Sequence, residues 1–313
     1  MQNFISAILP VFNEEKSLKE LHERLVETLQ KTGLPFEIIF VNDGSSDRTP
    51  QVLEELTPAK IIHLKRNFGQ TVALGVGVRQ AQGNILITID ADLENDPNDI
   101  PLLLEKLNEG YDVVSGWRKK RWAGAVFSRR LPSIMANKFL SFAGGVKIHD
   151  FGCTLKAYRR EMFDNISFSG DMHRLLLAYM ARQGAKIAEI PVNFTPRRFG
   201  KSKYGAKRIF DVLVDILAFY FFEKYHNRVL HFFSAAGVFC FILSFLIFLI
   251  MLYYKFFLGM MFVQTPLPIL TVSFVIVGFQ LILMGLIAEL VYRSSKHKDS
   301  SNLTYVKKEI INN

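Results

Sequence analysis

The sequence predicts an open α/β domain with a mostly parallel sheet, followed by an amphipathic juxtamembrane helix and a two-helix transmembrane hairpin. Three observations carry this reading. Short apolar runs alternate with amphipathic stretches over roughly the first hundred residues, the pattern of βαβ units with both sheet faces covered. Two carboxylate-rich phrases, Asn42-Asp43-Gly44-Ser45-Ser46-Asp47 and Asp90-Ala91-Asp92-Leu93-Glu94, each follow directly on an apolar run. Two charge-free stretches, 232–252 and 266–288, each exceed the roughly 20 residues that cross a bilayer core.

A strand is expected at about 4–11, then a helix at about 15–31 with Leu18, Leu21, Leu25 and Leu29 on one face. The run 36–41 is the next strand, and Asp47 to Leu56 reads as a helix after a Ser/Asp cap. A strand at 60–64, a helix at about 70–81 and a strand ending at Ile89 complete the alternation. Gly75-Val76-Gly77 lies inside that helix pattern and does not follow a strand, so it signals close helix packing. Further along, Tyr111–Ser115 and Lys186–Val192 read as strands, and Ser128–Phe142 as a helix with a basic start at Arg129 and Arg130. Between Ile209 and Tyr225, Phe210, Leu213, Leu217 and Phe221 share one side, which suits a helix resting in the membrane interface. The expected divisions are a folded domain at 1–205, the juxtamembrane helix at 206–229, the spans at 230–292 and a loosely ordered basic tail at 293–313.

Both carboxylate phrases fall at the C-terminal ends of buried strands, the edge where open α/β sheets bind ligands. Carboxylates packed this closely repel unless a cation sits between them, and Asp-x-Asp suits a hard divalent ion such as Mg²⁺ or Mn²⁺. An ion held by few protein groups keeps positions open for substrate phosphates. The expected ligand is therefore a metal-bridged nucleotide diphosphate.

The formal charge is +9, much of it beside the apolar stretches. Anionic lipid is the simpler partner for that charge, and no nucleic acid is expected. Basic flanks, Lys224 and Arg228 before the first span and Arg293, Lys296 and Lys298 after the second, place both termini in the cytoplasm. Met1-Gln2-Asn3 leads straight into an apolar strand with no charged leader, so no targeting segment is expected and the protein should reside in the cytoplasmic (inner) membrane. Cys153 and Cys240 have no CxxC neighbour, which implies neither a disulfide framework nor a zinc site. His63, His226 and His231 read as solvated or interfacial, and Glu289 as the i,i+4 partner of Arg293.

Pro10-Val11-Phe12-Asn13-Glu14, Asn42-Asp43-Gly44-Ser45-Ser46-Asp47, Asp90-Ala91-Asp92-Leu93 and Arg197-x-x-Gly200-x-Ser202-Lys203-Tyr204 stand in order. With these, the chain resembles the inverting family-2 glycosyltransferases, whose GT-A fold is a Rossmann-like mixed sheet. More narrowly, it is similar to the polyisoprenyl-phosphate glycosyltransferases. The resemblance covers residues 4 to about 205 and extends to the two spans. It implies that Pro10, Phe12 and Glu14 line the nucleoside pocket, that Asp43 contacts the base, and that Asp90 and Ala91 sit over ribose and phosphate. It implies metal ligation by Asp92 with Asp90, and by Glu94 where relatives commonly carry Gln. Arg118, Arg197 and Lys203 would hold phosphates, and Arg129 and Ser133 would engage the lipid phosphate. Asp150 would be the base or acceptor-positioning carboxylate, with Asp171 as second candidate; a helix cap is the plainer alternative for either.

Elementary chemistry agrees. A leaving nucleotide diphosphate gains charge as the glycosidic bond breaks, and a cation with fixed Arg and Lys groups stabilises it. Arg197 and Lys203 flank Gly200 in a segment able to close over phosphates, with a membrane-facing charge patch as the alternative. A lipid phosphate monoester is largely dianionic at neutral pH and already nucleophilic. The leading expectation is inverting transfer of a hexose such as glucose from a UDP-sugar to undecaprenyl phosphate. The alternatives are a processive polysaccharide synthase, disfavoured by the absence of Gln-x-x-Arg-Trp, and a non-catalytic nucleotide-sugar-binding scaffold. Gly237 and Gly278 would allow close helix contact, as in homo-oligomers formed through membrane segments.

Overall fold

The computed structural model describes residues 3–119, 121, 134, 137–142, 144–164, 166, 168, 172–196, 229–295 and 306–312. The chain forms two units, residues 1–216 with 301–313, and residues 217–300.

In the first unit the expected alternation is present: β1 (Ile5–Val11), α1 (Leu18–Lys31), β2 (Phe36–Asn42), α2 (Thr49–Glu54), β3 (Ala59–Leu64), α3 (Gln70–Gln80) and β4 (Ile85–Thr88). They continue as α4 (Ile100–Asn108), β5 (Val113–Trp117), β6 (Lys156–Arg159), α5 (Met172–Arg182) and β7 (Ile187–Pro191), with β8 (Val306–Asn312) at the far end of the chain. The eight strands among the described residues form one sheet in the order β7-β5-β6-β4-β1-β2-β3-β8. Strands β1 to β4 are mutually parallel, as are β5 and β7; β6 runs antiparallel to both its neighbours and β8 antiparallel to β3.

Periodicity explains the packing. Leu18, Leu21, Leu25 and Leu29 of α1 are completely buried against Ile5, Ala7, Leu9 and Val11, the alternate residues of β1. The opposite sheet face receives α3, where Gly75 and Gly77 do what the sequence implied. A Cβ on Gly75 would lie 2.6 Å from the Phe168 ring, and one on Gly77 would overlap Ile8.

Four elements were not foreseen. β6 is four residues, too short for an alternation pattern, and its first residue is a lysine. α4 and α5 complete the covering layers. The tail expected to be loose is instead, over Val306–Asn312, an edge strand on β3. Ile310 packs against the core, Lys308 Nζ lies 2.9 Å from Glu54, and Lys60 Nζ lies 3.0 Å from Glu309.

The second unit is a helical hairpin, α6 (Val229–Phe257) and α7 (Leu267–Ser295), with both helices long and apolar enough to cross a membrane. The two helices meet glycine on glycine. A Cβ on Gly237 would sit 2.7 Å from the Gly278 carbonyl oxygen, and one on Gly278 2.9 Å from that of Gly237. Ser244 Oγ donates to the Thr271 carbonyl at 2.9 Å. These glycines therefore serve contact within the chain. The interfacial helix expected at 206–229 lies, up to residue 228, outside the described residues.

Candidate active site

Two loops leaving adjacent parallel strands interlock at the C-terminal edge. After β1, Asn13 adopts a left-handed backbone (φ 57°); its N–H donates to Ser45 Oγ at 2.9 Å and its side-chain oxygen accepts Ser46 N–H at 2.8 Å. Glu14 N–H donates to Thr49 Oγ1 at 2.9 Å. Phe12 and Glu14 are half-buried in this rim. Asp43 holds the backbone together, since its two oxygens accept the Phe68 and Gly69 N–H groups at 2.7 and 2.9 Å, in the turn that leads into α3. Burial pushes its carboxyl above the usual range, with those two amides opposing. Gly44, at φ 67°, has no room for a Cβ against the backbone of Arg66 and Asn67.

The second carboxylate phrase follows β4. Asp90 accepts from Gln70 Nε2 at 2.8 Å, and buried Asp92 accepts the N–H of Glu94 at 3.0 Å. Between them Leu93 holds a positive φ of 60°, strain of the kind that persists where geometry matters. Burial first, and the neighbouring Asp92 second, push the Asp90 carboxyl up to about 7. Ala91 points the other way, into the core. Glu94 faces Arg118, 3.5 Å from its Nη1. Among the described residues no three His, Cys, Asp or Glu side chains converge as a closed metal cage. Pro10, Gln70, Thr88, Asp90, Thr154 and Lys156 line a cavity of about 20 Å³ beneath the phrase.

The third part is a buried ion pair. Arg118, directly after β5, donates Nε to Asp150 Oδ2 at 2.8 Å and Nη2 to Oδ1 at 3.1 Å, a bidentate grip. Their side chains are 4% and 9% exposed. Arg121 Nη1 stands 3.8 Å from the same carboxylate. Burial alone would raise Asp150, but Arg118, Arg121 and Lys156 together hold it below the usual carboxylate range. Arg118 is held firmly charged in return, because Asp150 outweighs its burial. Lys156, buried beside the cavity and lowered by that burial, donates to the Phe151 carbonyl at 3.3 Å.

The structure thus brings together Pro10, Phe12, Glu14, Asp43, Asp90, Asp92, Glu94, Arg118 and Asp150. Arg129, Ser133, Asp171, Arg197 and Lys203 lie outside the described residues. The approach to Arg197 is nevertheless visible. Thr195 N–H donates to the Glu94 carbonyl at 3.0 Å, and Asn193 is held by Asp99 at 2.7 and 2.8 Å. Sequence reasoning missed Gln70, Arg121, Thr154 and Lys156. For Gln70 the available signal was its position as first residue of a helix facing the Asp-x-Asp strand; for Thr154 and Lys156, β6 had first to be found.

The chain is similar to known proteins. The model of the family described as "Glycosyl transferase family 2" matches residues 6–167. Dodecaprenyl-phosphate galacturonate synthase of Rhizobium johnstonii is 36% identical over 98% of this chain and 92% of its own. Undecaprenyl-phosphate 4-deoxy-4-formamido-L-arabinose transferase of Proteus mirabilis is 31% identical over 93% of this chain and 89% of its own. Among solved structures, glucosyl-3-phosphoglycerate synthase from Mycobacterium tuberculosis, in complex with Mn²⁺, UDP and glucosyl-3-phosphoglycerate, gives a TM-score of 0.54. Its sequence identity is 19%, covering 71% of this chain and 80% of that one. The same enzyme with phosphoglyceric acid gives 0.57 at 19% identity over the same shares. These likenesses establish the GT-A fold.

Proposed function

Since the chain belongs to glycosyl transferase family 2, we propose that it transfers a sugar from a UDP-linked donor to a polyprenyl phosphate at the cytoplasmic face of the membrane. One observation carries the reading: at a single sheet edge, the crowded carboxylates of Asp90 and Asp92 lie beside the fixed cations Arg118 and Arg121. Among the described residues, Asp90, Asp92, Glu94 and Asp150 face Arg118, Arg121 and Lys156, so ionising Asp90, whose carboxyl burial and Asp92 push up, leaves four anions to three cations. Hard oxygen donors with an unbalanced charge fit Mg²⁺ or Mn²⁺, held by Asp90 and Asp92. When bound, such an ion neutralises charge on the leaving diphosphate. The residues do the rest. The interlocked loops after β1 and β2 orient the nucleoside, and Arg118 screens charge on the acceptor side. Asp150 keeps Arg118 in place. A carboxylate held low by two guanidinium groups is a weak base, and a phosphate dianion needs little help to attack.

The sugar follows from similarity. The two relatives act on galacturonate and on a formamido-arabinose by name, and the first is the more similar, so a galacturonate donor stands first and UDP-glucose behind it. Inversion at the anomeric carbon fits a single displacement by the lipid phosphate. The cytoplasmic side is supported by charge, and the placing of both ends on one side by topology. Basic residues flank both outer ends of the hairpin, and β8 returns to the sheet that the chain left before α6. A chain that rejoins its own sheet crosses a membrane an even number of times. The test is incubation of membranes containing the full chain with labelled UDP-galacturonate, UDP-glucose and undecaprenyl phosphate, with Mn²⁺. Label is expected in an organic-soluble, acid-labile product; label only in water-soluble products or polymer would refute the assignment.

A further inference from the structure

Behind Asp150 the chain is gripped by a side chain from another strand. Glu189 lies in β7 beside Ser115 of β5, and its side chain is 8% exposed. Its Oε1 accepts the Asp150 N–H at 2.9 Å. Both its oxygens lie 3.0 Å from the backbone nitrogen of His149, and Oε2 is 2.7 Å from His149 Nδ1. The His149 ring in turn stacks on Trp117, with centroids 4.4 Å apart and planes 17° from parallel. The contacts close a ring. Glu189 holds the backbone of 149–150, the Asp150 side chain holds Arg118, and Trp117, the residue before Arg118, lies against His149.

We propose that Glu189 is the positioning residue of the Asp150–Arg118 pair, setting where that pair stands on the acceptor side of the site. The proposal rests on the transferase reading above. Residues 149 and 150 lie in a loop with no strand partner for their N–H groups, and one carboxylate receives both. Charge-assisted bonds of this kind are stronger than neutral ones and fix direction as well as distance. The bidentate grip of Asp150 on Arg118 tolerates little displacement, so a loop set loose by even an ångström would misplace the guanidinium. Glu189 itself is remote from the Asp90 phrase, on the outermost strand.

The test separates positioning from mere support. In the full chain, Glu189→Ala should lower kcat for transfer from UDP-galacturonate to undecaprenyl phosphate by about 10- to 100-fold, the scale of a displaced catalytic group. Binding of UDP with Mn²⁺ should change less than about threefold, because its residues stand on other strands. Hydrolysis of donor without lipid should fall less than transfer. Glu189→Gln keeps an oxygen for both N–H groups and should restore transfer to within about threefold of wild type. Parallel loss of UDP binding and transfer, or Gln no better than Ala, would overturn the proposal. If the alanine variant fails to fold, Glu189→Asp against Glu189→Gln carries the test: the shorter acid should be the worse of the two, and equality overturns the idea. A wild-type chain inert toward every lipid phosphate would count against the transferase reading instead. The clamp is then read by amide hydrogen exchange at His149 and Asp150, which Ala must accelerate and Gln must not.

Discussion

Replacing Asp150 by Asn should destabilise the transferase domain as well as slow it. In the native site Asp150 receives Arg118 Nε at 2.8 Å and Nη2 at 3.1 Å, and Arg121 approaches to 3.8 Å. Arg118 is 4% exposed at its side chain, so water does not take over when the carboxylate is lost. Removing one partner of a buried pair costs about 3–5 kcal/mol. The amide oxygen of Asn recovers about 1 kcal/mol as a hydrogen bond, leaving a net loss of about 2–4 kcal/mol. That is a ~30- to ~1,000-fold change in the unfolding equilibrium. The assay is urea unfolding of the full chain in detergent by tryptophan fluorescence, since the two tryptophans, Trp117 and Trp122, both flank Arg118 in sequence. The sign with pH is fixed by the depressed carboxyl. Its contribution is complete above the unfolded value near ~3.9 and is lost only as pH falls through the lower native value, so the gap should be flat from about pH 5 to 9. Adding Arg118→Met to the Asn variant should cost less than Arg118→Met alone. An Asn variant with wild-type stability and no transfer would refute this reasoning and restore Asp150 as a base.

Asp92→Asn should abolish transfer while leaving the urea midpoint nearly unchanged; full activity in that variant, or in excess chelator, would exclude the metal-bridged mechanism. Because Asp90 is raised to about 7, protons compete with the metal, and Mn²⁺ affinity measured with UDP should fall about tenfold per pH unit below ~7 and level off above it. Without metal the sign for stability is opposite to that of Asp150: the Asp90 contribution is present at low pH and lost as pH rises through about 7. Arg197→Ala and Lys203→Ala should each lower turnover by about 10- to 100-fold, the value of a charge-assisted contact, and unchanged turnover with weaker membrane binding would make that stretch a lipid anchor. Deleting residues 306–312 should lower the urea midpoint and promote aggregation by exposing the β3 edge, whereas Lys308→Ala, which removes only an exposed ion pair, should cost under about 0.5 kcal/mol.

What was legible in the sequence was what local pattern encodes. The parallel half of the sheet announced itself because each strand is a mostly apolar run and α1 shows a clean leucine stripe. The Asp-x-Asp phrase was legible because carboxylates at a strand end have few structural uses. The antiparallel half was not. β6 reads Lys-Ala-Tyr-Arg, with polar residues that only tertiary contacts bury, and β8 joins the sheet across more than two hundred residues of chain. Asp43 shows the limit of motif reading: its type and place were foreseen, but its two backbone partners near residue 68 were invisible before folding.

The reversal of β6 explains why the site holds cations as well as carboxylates. In a wholly parallel sheet the C-terminal edge receives only loops that leave strands, and here those loops bring Asp43, Asp90 and Asp92. Because β6 runs the other way, Lys156 pairs with Thr88 at that same edge, and the loop entering β6 passes over it. That loop carries Asp150, Phe151, Cys153 and Thr154. Thr154 is bonded through its carbonyl to Thr88 Oγ1 at 2.7 Å and through its hydroxyl to Asn95 at 3.1 Å, so the entering loop is stitched to both sides of the Asp-x-Asp turn. Arg118, leaving β5 alongside, meets Asp150 as a result. One reversed strand thus sets a buried arginine and a buried lysine beside a crowded carboxylate pair. In the proposed reaction the carboxylate pair would serve the donor side and the cations the acceptor side of one edge, as transfer between two phosphate-bearing substrates requires.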